Sequence, residues 1–188
     1  MNLTARVKNI LLQPAQEWAV IEGESARVAD LYGAYIVPLA AIGPVASIIG
    51  LSIVGLGGYR IPLMSSIGHA VVTFVLALAG VYVLALVIDA LAPNFQGTKN
   101  QIQALKVAAY SSTAAWLAGI FILIPALGFL QILGLYSLYL LHLGLPMLMK
   151  TPEDKALGYT ATVIIAAIVI FTVIGAIGSF FIAYPMPR

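Results

Sequence analysis

Charged residues divide this chain into long apolar runs. Residues 31–59 lie uncharged between Asp30 and Arg60, and residues 61–88 between Arg60 and Asp89. A third run, 107–149, separates Lys106 from Lys150, and a fourth, 156–187, separates Lys155 from Arg188. A membrane-crossing helix needs about 20 apolar residues, so the first, second and fourth runs each predict one tilted span. As a single helix the third would extend about 65 Å, so it must cross twice. Pro125 and Gly128 in "IPALGF" mark the hairpin between the two crossings. The pattern predicts five spans, over about 31–57, 63–90, 104–124, 128–149 and 158–183, within a membrane domain covering 30–188.

Ahead of the first span, Leu3, Val7, Ile10 and Leu11 share one helical face, and Trp18 and Ile21 make a shorter stripe after Pro14. Residues 1–29 therefore predict short amphipathic helices lying on the inner membrane surface, with Trp18 as an interfacial anchor. Thr98 with Gln101 three residues on reads as a capping box. Thr151 suits an N-cap, with Pro152 in the first turn and Glu153 and Asp154 complementing the helix dipole. The third and fifth spans are thus expected to begin as helices before entering the membrane. Pro38 and Pro44 predict kinks in the first span, and Pro146 in the fourth. Gly43 with Ser47, and Gly175 with Ser179, have the spacing of close helix contacts.

Composition makes the bilayer reading firm. Of 188 residues, 62% are hydrophobic and 9% charged, where soluble domains carry about 25% charge. So short a chain cannot hide that much apolar surface within itself. The expected fold is an all-α polytopic membrane helix bundle. A net charge of +2, scattered along the chain, gives no basic patch for nucleic acid. The absence of Cys removes disulfides, thiolate nucleophiles and Cys-based metal sites. The first residues, interrupted by Arg6, Lys8 and Gln13, do not read as a signal peptide. With the N-terminus in the cytoplasm, that side receives Arg6, Lys8, Arg27, Lys99, Lys106, Lys150 and Lys155, and the other only Arg60 and Arg188. Seven against two predicts a cytoplasmic N-terminus and a C-terminus on the opposite side.

Ionisable groups inside spans are functional candidates by default. Asp89, at the end of the second span, is either a proton or cation site or an interfacial acid paired with Lys106. His69 and His142 fall at different depths and lack metal-ligand spacing, so each is expected to hydrogen-bond a hydroxyl or carbonyl of a neighbouring helix. Ser66 and Ser137, each near a histidine, lack the glycine-flanked turn of a nucleophile. Tyr110, Tyr136 and Tyr139 read as polar links between helices, and Tyr159 as a belt residue. No catalytic residue, metal or cofactor is expected.

One string carries a resemblance. Asp89, Ala92, Pro93, Phe95 and Gly97 form Asp-x-x-Ala-Pro-x-Phe-x-Gly, followed by Tyr110-Ser111, Pro125 and the Met-Lys pair ending at Lys150. With "DLYGAYIVPL" ahead of the first span, these resemble the bacterial branch of the YIP domain family, which includes the eukaryotic Ypt/Rab-interacting proteins. Ala34 stands where that family's DLYGP element has proline. The resemblance implies a five-span protein of the bacterial inner membrane with a cytosolic N-terminus, and it does not imply an enzyme. Eukaryotic relatives recruit small GTPases and form complexes with one another. The leading expectation is a scaffold, adaptor or membrane organiser whose partners are the lipid bilayer, other membrane proteins or further copies of itself. Its docking surface would be the loop after the second span, where Gly97 allows a tight turn and Phe95 packs back on the helix ends. The alternative is a small transporter or channel lined by Asp89, Lys106, His142, His69 and the tyrosines. A lipid-handling role is a third reading, suggested by the amphipathic N-terminus.

Overall fold

In a computed structural model, residues 2–55 and 60–180 are described. Those residues are helical with no strand among them, and five helices are long and apolar enough to cross a membrane. They run Val28–Val54, Leu63–Phe95, Gln101–Leu123, Pro125–Met149 and Glu153–Ser179. This is an all-α polytopic bundle, an architecture that satisfies most backbone polar groups within each span, as a hydrocarbon solvent demands. The turn around Ile124 separates the third and fourth spans, where "IPALGF" predicts it. The expected last residues of the fifth span, and the C-terminus, lie outside the described residues.

The first span is not one regular helix. A wider turn over Tyr32–Ile36, in which Val37 N–H donates to Tyr32 O, leads into Pro38, and the helix restarts after Ala41 ahead of Pro44. Pro38 lacks the N–H that a regular ladder would use, and the wide turn ahead of it absorbs the lost bond, whereas Pro44 lies in the first turn of the restarted helix, where the ladder needs no N–H. Gly43 sits where the first and third spans nearly touch. A Cβ on Gly119 would stand 2.9 Å from Gly43 Cα, so two side-chain-free positions permit that crossing.

The third span is the axis of the molecule. In its most apolar window 56% of the residues are buried, against 11% for the fifth span. Ala104, Leu105, Val107, Ala108 and Ala109 are all enclosed. Most of the remaining core gathers at one end of the bundle, where the first, third and fifth spans begin and the second and fourth finish.

Two short helices cover that end: α1 (Leu3–Leu12) and α2 (Pro14–Gly23). Their apolar stripes face the bundle and not a lipid surface. Ile10, Trp18 and Ile21 are fully buried, and Leu3, Val7 and Leu11 pack against the same core. The expectation of surface-lying helices anchored by an interfacial Trp18 is therefore corrected. An amphipathic stripe needs an apolar partner, and here the ends of the third and fourth spans supply it. The capping expectations change too. Asn100, not Thr98, caps the third span by accepting from Gln103 N at 3.2 Å. Pro152 occupies the cap position of the fifth span, one residue beyond Thr151, and no side chain caps it.

Candidate functional site

The two N-terminal helices form a clasp held by charges that the sequence places on their apolar faces. Arg6 falls in step with Leu3 and Ile10, and Glu17 in step with Ile21, so both turn inward. The buried Arg6 guanidinium donates to Glu17 Oε1 and, through its other amino group, to Glu24. It also lies 5.6 Å from the centre of the Tyr110 ring. Burial opposes the Arg6 charge, but the hydrogen bond and attraction of Glu24 outweigh it and hold its pKa above the ordinary arginine value.

Lys106 answers the question raised by a charge inside a span. Its Nζ donates to Ile21 O at 2.9 Å and to Glu24 O. One turn earlier, Gln103 Nε2 donates to Glu22 O at 3.1 Å. The third span thus caps the carbonyl end of α2, where a helix leaves its last acceptors unmet and a cation is favoured. Lys150 closes the other side by pairing with Glu22. The expected Asp89–Lys106 pair does not form, because the α2 carbonyls take the ammonium.

Aromatic side chains lock the clasp. Trp18 meets the edge of Tyr110 with ring centres 6.2 Å apart, and Tyr35 meets Tyr110 at 4.6 Å. Tyr35 Oη and Thr113 Oγ1 share a hydrogen bond of 2.6 Å. Trp18 fits because residue 144 is glycine: a Cβ there would lie 2.6 Å from the indole. Tyr136, on the fourth span, donates to Leu11 O at 3.0 Å, with Tyr139 5.4 Å from it ring to ring.

The Asp89–Gly97 string folds into a tight cap on the neighbouring span ends. Ala92–Phe95 make a single 3₁₀ turn, and Gln96 then takes a left-handed conformation at φ 60°. Phe95 stacks on Tyr159 with 4.9 Å between centres, and the Tyr159 hydroxyl donates to Ile88 O. Tyr159 is therefore a buried link between the second and fifth spans, and not a belt residue. Gly97 N–H donates to Ala92 O at 2.8 Å, and Thr98 N–H to Met149 O at 2.7 Å. A Cβ on Gly97 would stand 2.7 Å from Thr151 Oγ1 and 2.9 Å from Met149 O, so the close approach requires glycine. Pro93 is exposed on the outer side of the turn. Asp89 is half-buried, and its Oδ1 is enclosed without a hydrogen-bond partner.

The histidines stand apart. His69 Nδ1 meets Gly178 O at 2.9 Å toward the opposite end, and His142 Nδ1 meets Thr160 Oγ1 at 3.1 Å across the fourth and fifth spans. Each has a carbonyl or hydroxyl of a neighbouring helix. No hydrogen bond or ion pair joins Asp89, Lys106, His142 and His69 to one another among the described residues. Among the described residues, no group of three His, Asp or Glu side chains is placed to hold a metal ion. Reading from sequence missed Arg6, Glu17, Glu24, Trp18, Tyr35 and Gly144 as parts of the site. The available signal was a charge falling in register with apolar positions on each of two consecutive helices.

The inner membrane protein YohC of Escherichia coli strain K12 is 23% identical over 182 residues, which cover 92% of this chain and 93% of YohC. The same protein from Escherichia coli O6:H1 matches equally well. No solved structure matches the chain. The family described as Yip1 domain matches residues 8–174, so it takes in the first four spans, most of the fifth, most of the clasp and the Asp89–Gly97 cap. This multi-pass membrane protein belongs to the Yip1 domain family.

Proposed function

We propose that the chain is a non-enzymatic scaffold of the bacterial inner membrane that holds other membrane proteins, or further copies of itself, through its clasp end. That end is assigned to the cytoplasm, with the N-terminus. The seven-to-two distribution of Lys and Arg and the inner-membrane setting of YohC support the assignment. One observation carries the reading: Lys106, the one lysine enclosed in a span among the described residues, is spent on the α2 carbonyls. A lysine capping a helix is unavailable to carry a proton or bind a substrate. Arg6, Gln103 and Lys150 likewise bond within the clasp, leaving an outer surface of Pro93, Asn94, Gln96, Thr98 and Lys99 braced by the Phe95–Tyr159 stack. A rigid, preorganised surface costs little ordering entropy when a partner docks.

The test is recovery of bound membrane proteins from mild detergent with Phe95→Ala and Gly97→Val, at matched protein level. Loss of the buttress behind the loop should lower recovery by about tenfold, the scale of a lost interface hot spot. Unchanged recovery at an unchanged protein level contradicts the proposal. A second reading, a small transporter or channel using Asp89, Lys106 and His142, is favoured by the unpartnered Asp89 Oδ1. Liposome flux compared between the parent and Asp89→Asn decides it: a pH- or cation-dependent difference supports transport, and equal flux removes it.

A further inference from the structure

Two cavities lie along the seam between the fourth and fifth spans. One, of about 440 Å³, is walled mainly by apolar side chains including Trp116, Leu138, Leu141, Ile164, Ala167 and Phe171. Serines on its wall are already engaged: Ser111 and Ser112 donate to Ala108 O, and Ser137 Oγ accepts from Ala115 N. The other, of about 660 Å³, lies at the clasp end between His142, Pro146, Met147, Thr151, Glu153 and Leu157. Both volumes fall in the ~300–1,000 Å³ range of small-molecule sites.

The two follow one another along the facing sides of the fourth and fifth spans. On the fifth span Glu153, Leu157, Thr160, Ile164, Ala167 and Phe171 follow at three- or four-residue steps and share a face. On the fourth, Leu135, Leu138, His142 and Pro146 do the same. The His142–Thr160 hydrogen bond lies between them. Exposed Leu138, Leu157 and Ile168 border the seam, so it opens sideways onto the bilayer.

The chemistry is graded along its length. The interior is apolar and faces a solvent of acyl chains. At the mouth, Asp154 is paired with Lys155 and Lys150 with Glu22, whereas exposed Glu153 has no ion-pair partner among the described residues. Thr151, on the same wall, keeps a buried hydroxyl without a hydrogen-bond partner. An unpaired carboxylate at the mouth disfavours an anionic headgroup and attracts an ammonium. We propose that this seam binds one zwitterionic phospholipid with a primary ammonium headgroup, its acyl chain in the inner cavity and its ammonium beside Glu153.

The test is native mass spectrometry of the full chain released from mild detergent and supplied with phosphatidylethanolamine or phosphatidylglycerol. The expected result is one retained phosphatidylethanolamine, in preference to phosphatidylglycerol. Ala167→Trp, which fills the inner cavity, should lower retention about tenfold. Glu153→Gln, at an exposed position where folding is not at stake, should cut the preference about threefold. A photoactivatable acyl chain should label residues 134–141 and 164–171. Equal retention of both lipids by the parent, an unchanged preference in Glu153→Gln, or labels spread evenly over the lipid-facing helices would overturn the proposal.

Discussion

At the scale of single residues, polar groups in this bundle act as fasteners whose worth depends on what each would leave unmet. The Tyr159 hydroxyl bonds Ile88 O, while its ring stacks on Phe95. Hydrogen bonds between membrane helices contribute about 0.6–2 kcal/mol, because the separated helices also find partners. Removal of a large core side chain costs about 3–5 kcal/mol. Tyr159→Phe should therefore lower the thermal midpoint in detergent slightly and Phe95→Ala clearly more, with the half-buried site of Phe95 holding its loss toward the lower figure. A larger drop for Tyr159→Phe would mean the hydroxyl, not the stack, holds the cap. Gly97→Val should rank with the costlier change, since its side chain would collide with Thr151 Oγ1 and Met149 O.

At the scale of elements, the clasp behaves as one unit because it has one seat. Trp18 reaches its pocket through the space left at Gly144. Gly144→Val blocks that space with a branched side chain, and the account predicts that α1 and α2 detach while the spans stay folded. The indole fluorescence of Trp18, read in a Trp116→Phe background, should shift to the red, and residues 2–27 should become open to protease. An unshifted spectrum would show that the indole has another seat. The clasp also marks where sequence reading stopped. Helical periodicity located α1 and α2 and the stripe each one buries, because apolar spacing is a local property. What covers the stripe is a tertiary matter, and a membrane surface or the bundle's own end satisfies the same pattern. Arg6 and Glu17, set among apolar positions, were the residues that separate the two outcomes, since a paired charge belongs in an interior more readily than against acyl chains.

At the scale of the whole molecule, span number and the hairpin at Ile124 were legible, because a charge-free run of known length allows few ways across a bilayer. The Asp89–Gly97 string was legible as a turn at the helix ends with Phe95 packed back on them, but the left-handed turn residue is Gln96, and Gly97 serves close approach to Thr151 and Met149. Partners were not. Asp89 and Lys106 looked complementary in depth, but periodicity says nothing about rotation of one span against another, and the open carbonyl end of α2 competed for the ammonium. The central claim is that Lys106, a charge within a span, closes one end of the bundle by capping α2. Amide hydrogen exchange of residues 14–24 in lipid nanodiscs, parent against Lys106→Met, tests it most directly. Loss of the cap on Ile21 and Glu24 should speed exchange across α2 about tenfold, the scale of a lost charged hydrogen bond, while the spans keep their protection. Unchanged protection of α2 in Lys106→Met would contradict the account.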